Sequence, residues 1–349
     1  MTELTSKPRP SRSEFDDSIT PATVEGFVSN DELRVLQCSK PVNNRTWDLL
    51  NTSFFPRRRD VELRVYGFYG LVCDLSFLSR MQNVRRFSAD CLMQAINVEH
   101  VRELPNLESL GVGIFDLKGF EFLTDAPNGL KALSLCQTES KKPGLSVLRR
   151  FNSLTTLFLE GQQKDIEVLA ELKTIEDLTL RSISTADLSY LRPLDRLRSL
   201  DIKLGGTSNL SGIEGKPSIQ YIELWQIRGL SDISLISSLT GLQCLYLQSL
   251  KHVRRIPDLS RLVNLRRVGM ENMSGLEDLS ALERAPALEE FIHISARKFS
   301  PSQYEKLVRH PTLRSMLVGF GSDRKNRALQ VEMSRAGIEK FQPREFVFR

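Results

Sequence analysis

One apolar pattern recurs along most of this chain and constrains its fold more than any other feature. In residues 218–239, Ile219, Ile222 and Leu224 stand in the order apolar-x-x-apolar-x-apolar, and this first half alternates as a β-strand does. Further apolar residues then follow at spacings of three up to Leu239, as in a tight turn or a short helical curl. A segment this short has nothing of its own on which to bury an apolar face, so its neighbours must supply the core.

The same pattern repeats from Val61 onward with a period of about 23 residues. Twelve strand cores, 21 to 25 residues apart, align on Leu63, Phe87, Leu110, Leu133, Leu157, Leu178, Leu200, Ile222, Leu245, Val268, Phe291 and Met316. Chance can produce one such segment, but not twelve in register. A period of 20 to 29 residues around this core is typical of leucine-rich repeats.

A second motif, Asp-Leu-Ser or Asp-Ile-Ser, recurs on the far side of the repeat. It begins at Asp74, Asp187, Asp232, Asp258 and Asp278. Each Asp is expected to accept hydrogen bonds from the free N–H groups of a turn, while the following Leu or Ile enters the core. Over roughly residues 61–319 the chain therefore resembles the leucine-rich-repeat family, with internalin-like or phosphatase-regulatory-subunit-like repeats. The resemblance implies short 3-10 turns on the convex side.

The chain departs from the family at one position. Family members usually carry Asn shortly after the strand, and the stacked Asn side chains bond the loop backbones. Here that place is apolar, at Phe115, Ile183, Ile227, Leu250 and Met273. We expect an apolar ladder instead of a polar one, and the loop backbones must find other partners.

The predicted fold is an α/β solenoid, a leucine-rich-repeat horseshoe. A parallel β-sheet lines its concave face, short 3-10 or turn segments form its convex face, and both ends are capped. The expected divisions are a disordered tail at 1–25, an N-terminal cap at 26–60, about twelve repeats over 61–320 and a C-terminal cap at 321–349.

Local signals give the elements expected in the caps. They are a strand at 32–37, a short helix capped by Asn44, a helix start at Ser300-Pro301, a helix over 323–336 ended by Gly337, and a closing strand at 345–349.

Composition excludes few classes of protein. The net charge of +5 and pI near 8.9 permit an acidic partner but do not demand nucleic acid. The five cysteines form no CxxC pair and leave an odd one over, which suits a reducing compartment. With no signal-peptide run and no membrane span visible, a cytoplasmic location is expected, and export by a route without such a signal stays open.

No enzyme motif is found, so no catalysis, cofactor or small-molecule substrate is expected. The four histidines fall in separate repeats, which indicates scattered surface or loop residues and no metal site. If the chain were an enzyme, we would expect a pocket with a cluster of titratable groups whose pKa values are shifted.

What remains is the concave face, where the residues flanking each apolar pair point away from the core. Aromatic and charged residues gather there on repeats five to ten. The predicted partner-binding residues are Phe158, Glu160, Asp177, Arg181, Asp201, Lys203, Tyr221, Glu223, Trp225, Tyr246, Gln248, Arg267 and Glu271. Exposed Trp, Tyr and Arg on a rigid sheet carry binding energy at interfaces, although strand surfaces favour aromatic residues in any case.

The sequence thus predicts a non-catalytic module that binds a protein partner, with Phe158, Tyr221, Trp225 and Tyr246 as anchors. A sharper form, permitted by the resemblance, is a regulatory or inhibitory (immunity-type) subunit that masks an enzyme or toxin. A nucleic-acid-binding scaffold is less favoured. The predicted concave positions carry five positive and eight negative charges, whereas a nucleic-acid groove should be basic.

Overall fold

The structure, a computed structural model, describes residues 10–140 and 143–349. These residues form two compact units, the first ending at Ile175 and the second running from Glu176 to Arg349. In each unit parallel strands alternate along the chain with short 3-10 segments.

The first unit begins with two helices and continues as a repetitive sheet. Its helices are α1 (Pro21–Val28) and α2 (Asn44–Ser53). Its strands are β1 (Ser11–Glu14), β2 (Leu33–Cys38), β3 (Glu62–Tyr66), β4 (Cys73–Asp74), β5 (Arg86–Leu92), β6 (Ala95–Ile96), β7 (Ser109–Ile114), β8 (Ala132–Leu135) and β9 (Thr156–Glu160).

In this unit β4 and β6 pair with each other, and the other strands form one parallel sheet in the order β1-β2-β3-β5-β7-β8-β9. The 3-10 segments are Leu75–Arg80, Val98–Glu103, Glu121–Asp125, Ser146–Arg150 and Ile166–Glu171.

The second unit is built in the same way, with its helices at the end. The strands are β10 (Asp177–Arg181), β11 (Ser199–Lys203), β12 (Tyr221–Trp225), β13 (Cys244–Gln248), β14 (Arg267–Glu271), β15 (Glu290–Ile294), β16 (Ser315–Val318) and β17 (Glu339–Lys340), paired in parallel in that order. The helices are α3 (Glu305–Val308) and α4 (Asp323–Arg335). The 3-10 segments are Ser189–Leu191, Ser211–Ile213, Ser234–Ser238, Ser280–Arg284 and Pro301–Tyr304.

The strand register confirms the predicted alignment of repeats within each unit. Leu63 stands opposite Phe87 in the first unit, and Ile222 stands opposite Leu245 in the second. The twelve aligned residues all lie in parallel strands and are almost completely buried. Because equivalent core residues stand directly opposite one another, each layer closes the core of the next.

The amino-terminal region is more ordered than its composition indicates. The prediction of a disordered tail over 1–25 is wrong for residues 10–25, which contain β1 and the start of α1, and residues 1–9 lie outside the described residues. Phe15 is buried, with its ring centroid 5.6 Å from that of Trp47. Thr20 caps α1 through a capping box. One apolar anchor and one cap thus order a segment that is polar on average.

The predicted N-terminal cap joins the sheet directly. The strand expected at 32–37 is observed as β2, and its Leu36 pairs with Leu63 in the register of the repeats. The helix after it is α2, with Trp47 and Leu50 buried as expected. Its capping residue is Asn43, whose Oδ1 accepts from the Thr46 N–H at 3.1 Å, and not Asn44 as the sequence predicted.

At the other end, the helix signals are confirmed and the closing strand is not. Ser300 forms the predicted capping box with Gln303, and α4 is followed by Gly337 at a φ of +73°. The prediction of a strand at 345–349 is wrong, because the last strand is β17 and residues 341–349 form no strand. Pro343 lies between β17 and that segment and has no N–H to continue a ladder.

The recurring Asp residues cap the turns as predicted. In all five motifs an Asp Oδ1 accepts from the N–H of the Ser two residues on, at 2.8 to 3.3 Å. These backbone hydrogen bonds hold the pKa of Asp187, Asp232 and Asp278 below its usual value. Asn209 makes the same bond to Ser211 at 2.7 Å, in a repeat that lacks the motif.

The loop backbones replace the Asn ladder with a ladder of their own. In the second unit the residue after each strand from β10 to β14 has a left-handed φ of 49° to 56°, at Ser182, Leu204, Gln226, Ser249 and Asn272. Each donates its N–H to the carbonyl of the last residue in the next strand, at 2.8 to 3.0 Å. Ile183, Ile227, Leu250 and Met273 lie buried beside this ladder, whereas Phe115 of the first unit is 40% exposed.

Two histidines differ from their predicted surface positions. His293 is 1% exposed and His310 is 8% exposed. His293 Nδ1 lies 2.8 Å from Tyr304 Oη, and burial lowers the pKa of His293 to about 4. Among residues 10–140 and 143–349, no three His, Cys, Asp or Glu side chains are grouped to hold a metal ion. No helix in those ranges is both long and apolar enough to cross a membrane.

The capping role of Asp232 is testable with a matched pair of variants. Asp232→Ala removes the acceptor of the Ser234 N–H, 2.8 Å away, and should lower the free energy of unfolding by about 1 kcal/mol. Asp232→Asn should stay within a few tenths of a kcal/mol at pH 7, since Asn209 makes the same bond. Urea denaturation measures both.

The pH dependence of that stability gives a further check. Because the pKa of folded Asp232 is lowered, its charge stabilises the fold above its ordinary value of 3.8, and this is lost as the pH falls through the folded pKa. Wild type and Asp232→Asn should therefore diverge between neutral and strongly acid pH. Equal losses in the Ala and Asn variants at pH 7 would contradict the capping role.

Candidate functional site

Three rows of side chains cross the face of the second unit's sheet that points away from the core, here termed the outer face. Strands β10 to β15 pair in register, so their first, third and fifth residues stand side by side. The first row is Asp177, Ser199, Tyr221, Cys244, Arg267 and Glu290. The middle row is Thr179, Asp201, Glu223, Tyr246, Gly269 and Ile292. The third row is Arg181, Lys203, Trp225, Gln248, Glu271 and Ile294.

All eleven predicted site residues of the second unit fall in these rows. Asp177 is exposed. Those of intermediate exposure are Arg181, Asp201, Lys203, Tyr221, Trp225, Gln248 and Glu271. Glu223, Tyr246 and Arg267 are buried. The other two predicted residues, Phe158 and Glu160, occupy the third and fifth positions of β9 in the first unit and are half-buried.

Five side chains of β10 to β12 form a hydrogen-bonded group, here termed the polar cluster. Lys203 Nζ lies 2.9 Å from Glu223 Oε2 and 3.8 Å from Asp201 Oδ2. Tyr221 donates its hydroxyl to Glu223 Oε2 at 3.0 Å, and Thr179 donates to Asp201 Oδ2 at 3.2 Å. One lysine thus links two carboxylates that lie in neighbouring strands.

Burial sets the electrostatics of the polar cluster. It raises the pKa of Asp201, while Lys203 opposes the shift and Glu223 adds to it. It also raises the pKa of Tyr221 well above its ordinary value. Asp201 Oδ1 is buried without a hydrogen-bond partner among the described residues. The cluster therefore holds charged groups in a fixed arrangement, and removing one partner would leave a buried charge unpaired at a large cost in free energy.

Trp225 ends β12 and stays partly accessible beside this cluster. It stands between Lys203 and Gln248 in the third row. Its carbonyl accepts from the Leu204 N–H at 2.9 Å. The ring is therefore carried by a backbone that is paired on both sides, next to a lysine whose position is fixed by two carboxylates.

Tyr246 behaves differently, because it lies flat against the sheet. A Cβ atom added at Gly269 would lie 2.5 Å from Tyr246 Cδ2, so the absence of a side chain at 269 makes room for the ring. The hydroxyl donates to Glu271 Oε2 at 2.8 Å. The ring also belongs to a small apolar cluster on this face with Ile292 and Phe341. Tyr246 is consequently 4% exposed.

The last residues of the chain cover part of the outer face. Residues 342–349, here termed the strap, follow β17 and lie over β12 to β15. The Phe346 ring centroid is 4.7 Å from Arg266 Cζ and 5.0 Å from Arg267 Cζ. The Phe348 ring packs edge-on against Tyr221, with centroids 6.5 Å apart. The strap thus crosses the strands and pairs with none of them.

Charged groups fasten the middle of the strap. Arg344 forms an ion pair with Glu290, which Arg267 also contacts from the sheet. Arg267 Nη1 donates to the Arg344 carbonyl at 3.0 Å. Burial favours the protonated form of Glu290, but the hydrogen bonds from Arg267 and Arg344 outweigh it and keep the pKa of Glu290 below its usual value.

The structure corrects the predicted accessibility of three site residues. Tyr246 and Arg267 are 4% and 5% exposed because the strap and Phe341 lie over them. Glu223 is 4% exposed because the polar cluster encloses it. Their part in partner binding stays a prediction, but none of them is an open contact in this structure.

Sequence reasoning missed the strap and the adjoining apolar patch on which Phe341 packs. Ile292 and Ile294 occupy outward positions of β15, and Leu317 does so on β16. Apolar residues on both faces of a strand indicate that both faces are covered. That signal was present in the sequence and predicts a covering segment near the end of the sheet.

The fold of this chain is similar to that of several solved structures. No protein-family model matches the chain, and no curated protein matches its sequence. An internalin, InlF of Listeria monocytogenes strain 4b F2365, superposes with a TM-score of 0.56 at 18% identity, covering 85% of this chain and 88% of that chain.

Two further solved structures are similar. A chain from the TLR13–ssRNA13 complex gives a TM-score of 0.54 at 18% identity, covering 93% of this chain and 50% of that chain. A leucine-rich-repeat protein of Leptospira interrogans gives a TM-score of 0.45 at 14% identity, covering 89% of this chain and 90% of that chain. With one parallel strand per repeat in register, the internalin and TLR13 matches show that this chain has the leucine-rich-repeat fold.

The role of Lys203 in the polar cluster is testable through stability. Lys203→Met leaves Asp201 and Glu223 without the cation between them, and should lower the free energy of unfolding at pH 8 by about 2 kcal/mol. Lys203→Arg keeps the charge and serves as the control. Urea denaturation at several pH values measures the effect.

The sign of the pH dependence follows from the raised pKa. A carboxyl whose folded pKa lies above its ordinary value of 3.8 destabilises the fold increasingly as the pH rises from that value to the folded pKa. In Lys203→Met, Asp201 loses the cation that lowers its pKa, so its folded pKa rises further. The deficit should therefore shrink at pH 5, and an equal deficit at pH 5 and pH 8 would refute the electrostatic account.

Proposed function

We propose that this chain is a non-catalytic recognition module that binds a protein partner through the outer face of its sheet. The observation that carries the proposal is the arrangement on β11 and β12. There the accessible Trp225 stands beside Lys203, which is fixed between Asp201 and Glu223. Aromatic side chains next to positioned charges are the residue types that dominate interface energetics.

Preorganisation supports this role. The strands that carry Arg181, Lys203 and Trp225 are hydrogen-bonded to neighbours in register, and the Lys203 ammonium already has its partners. A surface of this kind loses little side-chain freedom when a partner docks. Trp225 and Tyr221 act as anchors in the proposal, and Arg181, Lys203 and Asp177 set specificity. Phe158 and Glu160 are proposed as contacts carried by the first unit.

An enzymatic role is less well supported than binding. The polar cluster does contain a carboxyl with a raised pKa, as a catalytic site often does. The cavity beside it, lined by Tyr221, Cys244 and Tyr246, measures about 30 Å³, which is room for about one water molecule and not for a substrate. A buried, internally paired cluster of this type is proposed to organise the surface and not to perform a reaction.

Nucleic acid is a second candidate ligand because one similar structure was solved with ssRNA13. That similarity concerns the fold alone, at 18% identity. In this chain the cations Arg267 and Lys203 are paired with Glu290 and Glu223. A face whose cations are neutralised by its own carboxylates offers phosphates little, so protein is the favoured partner. A regulatory or inhibitory subunit that masks an enzyme or toxin is the sharper form of the proposal.

The proposal predicts a loss of partner binding in Trp225→Ala. The affinity for the purified partner, first identified by capture from a lysate and mass spectrometry, should fall by roughly 2 kcal/mol or more. The circular-dichroism spectrum should stay unchanged, because Trp225 lies on the outer face. Val263→Ala is the matched control, since Val263 is 62% exposed and lies between strands. Unchanged affinity in Trp225→Ala would locate the interface elsewhere.

Salt dependence separates protein from nucleic acid as the ligand. Binding of a single-stranded RNA probe, if it occurs, should weaken steeply between 50 and 200 mM salt. We expect no measurable RNA binding at the lower salt concentration. Tight binding that Trp225→Ala abolishes would favour the nucleic-acid function instead.

A further inference from the structure

The strap lies on the outer face in the way a bound peptide would. It begins beyond Phe341, which packs on Ile292 of β15, and reaches Tyr221 of β12 through Phe348. Seven of its eight residues are exposed, and none belongs to a strand. The core on the opposite face is made by the strands and turns themselves. The strap therefore occupies the surface without closing the core.

The first anchor of the strap is aromatic. Phe346 lies within 5.0 Å of two guanidinium groups, those of Arg266 and Arg267, measured from the ring centroid to each Cζ. Two cations near one ring attract the π-system from the sheet side. This position of the face is thus built to accept an aromatic side chain.

The second anchor is ionic. The Arg344 guanidinium contacts Glu290 Oε1, with its Nε at 3.0 Å. Glu290 is 7% exposed and is also held by Arg267 from the other side. Both Nε and Nη2 of Arg344 reach the same oxygen, Oε1, while Oε2 accepts from Arg267. The buried carboxylate thus offers one fixed oxygen that two N–H groups of a single guanidinium share, which favours arginine at this position.

The third anchor consists of hydrogen bonds to the main chain of the strap and not to its side chains. The amide of Gln243 donates from Nε2 to the Arg349 carbonyl at 2.7 Å and accepts at Oε1 from the Arg349 N–H at 2.9 Å. Arg266 donates to the carbonyl of Val347 as well. Such contacts recognise an extended main chain, whatever its sequence.

The strap fills its place incompletely. Val347 is 74% exposed and Phe348 is 45% exposed. A cavity of about 30 Å³ remains between Phe346 and the Cys244 and Tyr246 side chains beneath it. An occupant whose aromatic group fills this cavity would bury more apolar surface, so a better-fitting segment is able to replace the strap.

We propose that the face beneath the strap is a peptide-binding groove and that the strap is its internal occupant. The groove takes an extended segment of a protein partner with the pattern arginine, any residue, aromatic, any residue, aromatic, as in Arg344, Phe346 and Phe348. The partner segment binds after the strap leaves. This inference rests on the proposed function, because it supplies the ligand chemistry and the regulation of the same outer face.

The test uses a synthetic peptide with the sequence of residues 342–349, labelled with a fluorophore, and the 349-residue chain carrying Arg344→Glu and Phe346→Ala. These changes remove the ionic and aromatic anchors and should release the strap. Fluorescence anisotropy should show the peptide binding this variant at least tenfold more tightly than it binds wild type. Val347→Ala is the matched control, since that side chain points to solvent, and it should behave as wild type does.

A complementary pair tests the recognised chemistry. In the released variant, Glu290→Gln should weaken binding of the natural peptide at least tenfold. It should have little effect on a peptide in which Arg344 is replaced by Gln. Should Glu290→Gln misfold, a peptide with Ala in place of Phe346 probes the aromatic anchor without touching the protein, and it should bind at least tenfold more weakly.

Cys244 reports directly on the strap. It is 3% exposed and lines the cavity under Phe346, whereas Cys91 is exposed and serves as an internal reference. Maleimide labelling followed by peptide mapping should show Cys244 reacting at least tenfold faster in the released variant than in wild type, with Cys91 unchanged. Equal Cys244 rates in a folded released variant would overturn the proposal.

The remaining outcomes are distinguishable from failure of the proposed function. A folded released variant that binds the peptide no better than wild type overturns the groove, even if partner binding still depends on Trp225. A wild-type dimer that dissociates when the strap is released would show that the strap of a second copy is the occupant, and would overturn the proposal too. If the peptide binds as expected but Trp225→Ala leaves partner affinity unchanged, the groove is supported and the proposed interface at Trp225 is refuted.

Discussion

The structure depends on one constraint, the parallel register between successive strands. A parallel ladder fixes neighbouring strands about 4.8 Å apart, so each repeat of about 23 residues must bring the chain back one strand spacing further along. Two local devices make this return possible in the second unit. The left-handed residue after a strand, as at Gln226, donates across to the next strand. The Asp cap, as at Asp232, accepts a hydrogen bond from a backbone N–H group of the following turn that would otherwise have no partner. Once the register is set, the three rows on the outer face follow from it.

The core could be predicted from the sequence because its signal is periodic and local. Residues such as Leu200 and Ile222 repeat at fixed spacing, and burial of one face leaves a single register. The strap could not be predicted in this way. Alternating Phe346 and Phe348 fit a strand as well as a crossing segment, and the outcome depends on Pro343 and on Glu290, far away in sequence. Long-range charge pairing leaves no periodic trace.

The predicted site shows the same division between local and long-range information. Strand alternation predicts that the side chains of Tyr221, Glu223 and Trp225 point away from the core. Glu223 is enclosed because Lys203 reaches it from the neighbouring strand. The sequence pattern of a single strand holds no information on that contact. An outward position in a repeat protein is therefore not equivalent to an accessible one. Polar residues in adjacent layers can build a small buried network on a surface that the period alone describes as open.

The covalent attachment of the strap has a kinetic and thermodynamic consequence. A segment joined to its own binding surface by a short connection, here the residues around Pro343, has an effective local concentration of the order of millimolar. A free ligand of equal intrinsic affinity has to approach that concentration before it occupies half of the molecules. Weak binding by unrelated peptide segments would then leave the strap in place. In the proposed groove, only a ligand with extra contacts beyond those that the strap makes, for example with the ring of Trp225, gains enough free energy to compete at micromolar levels.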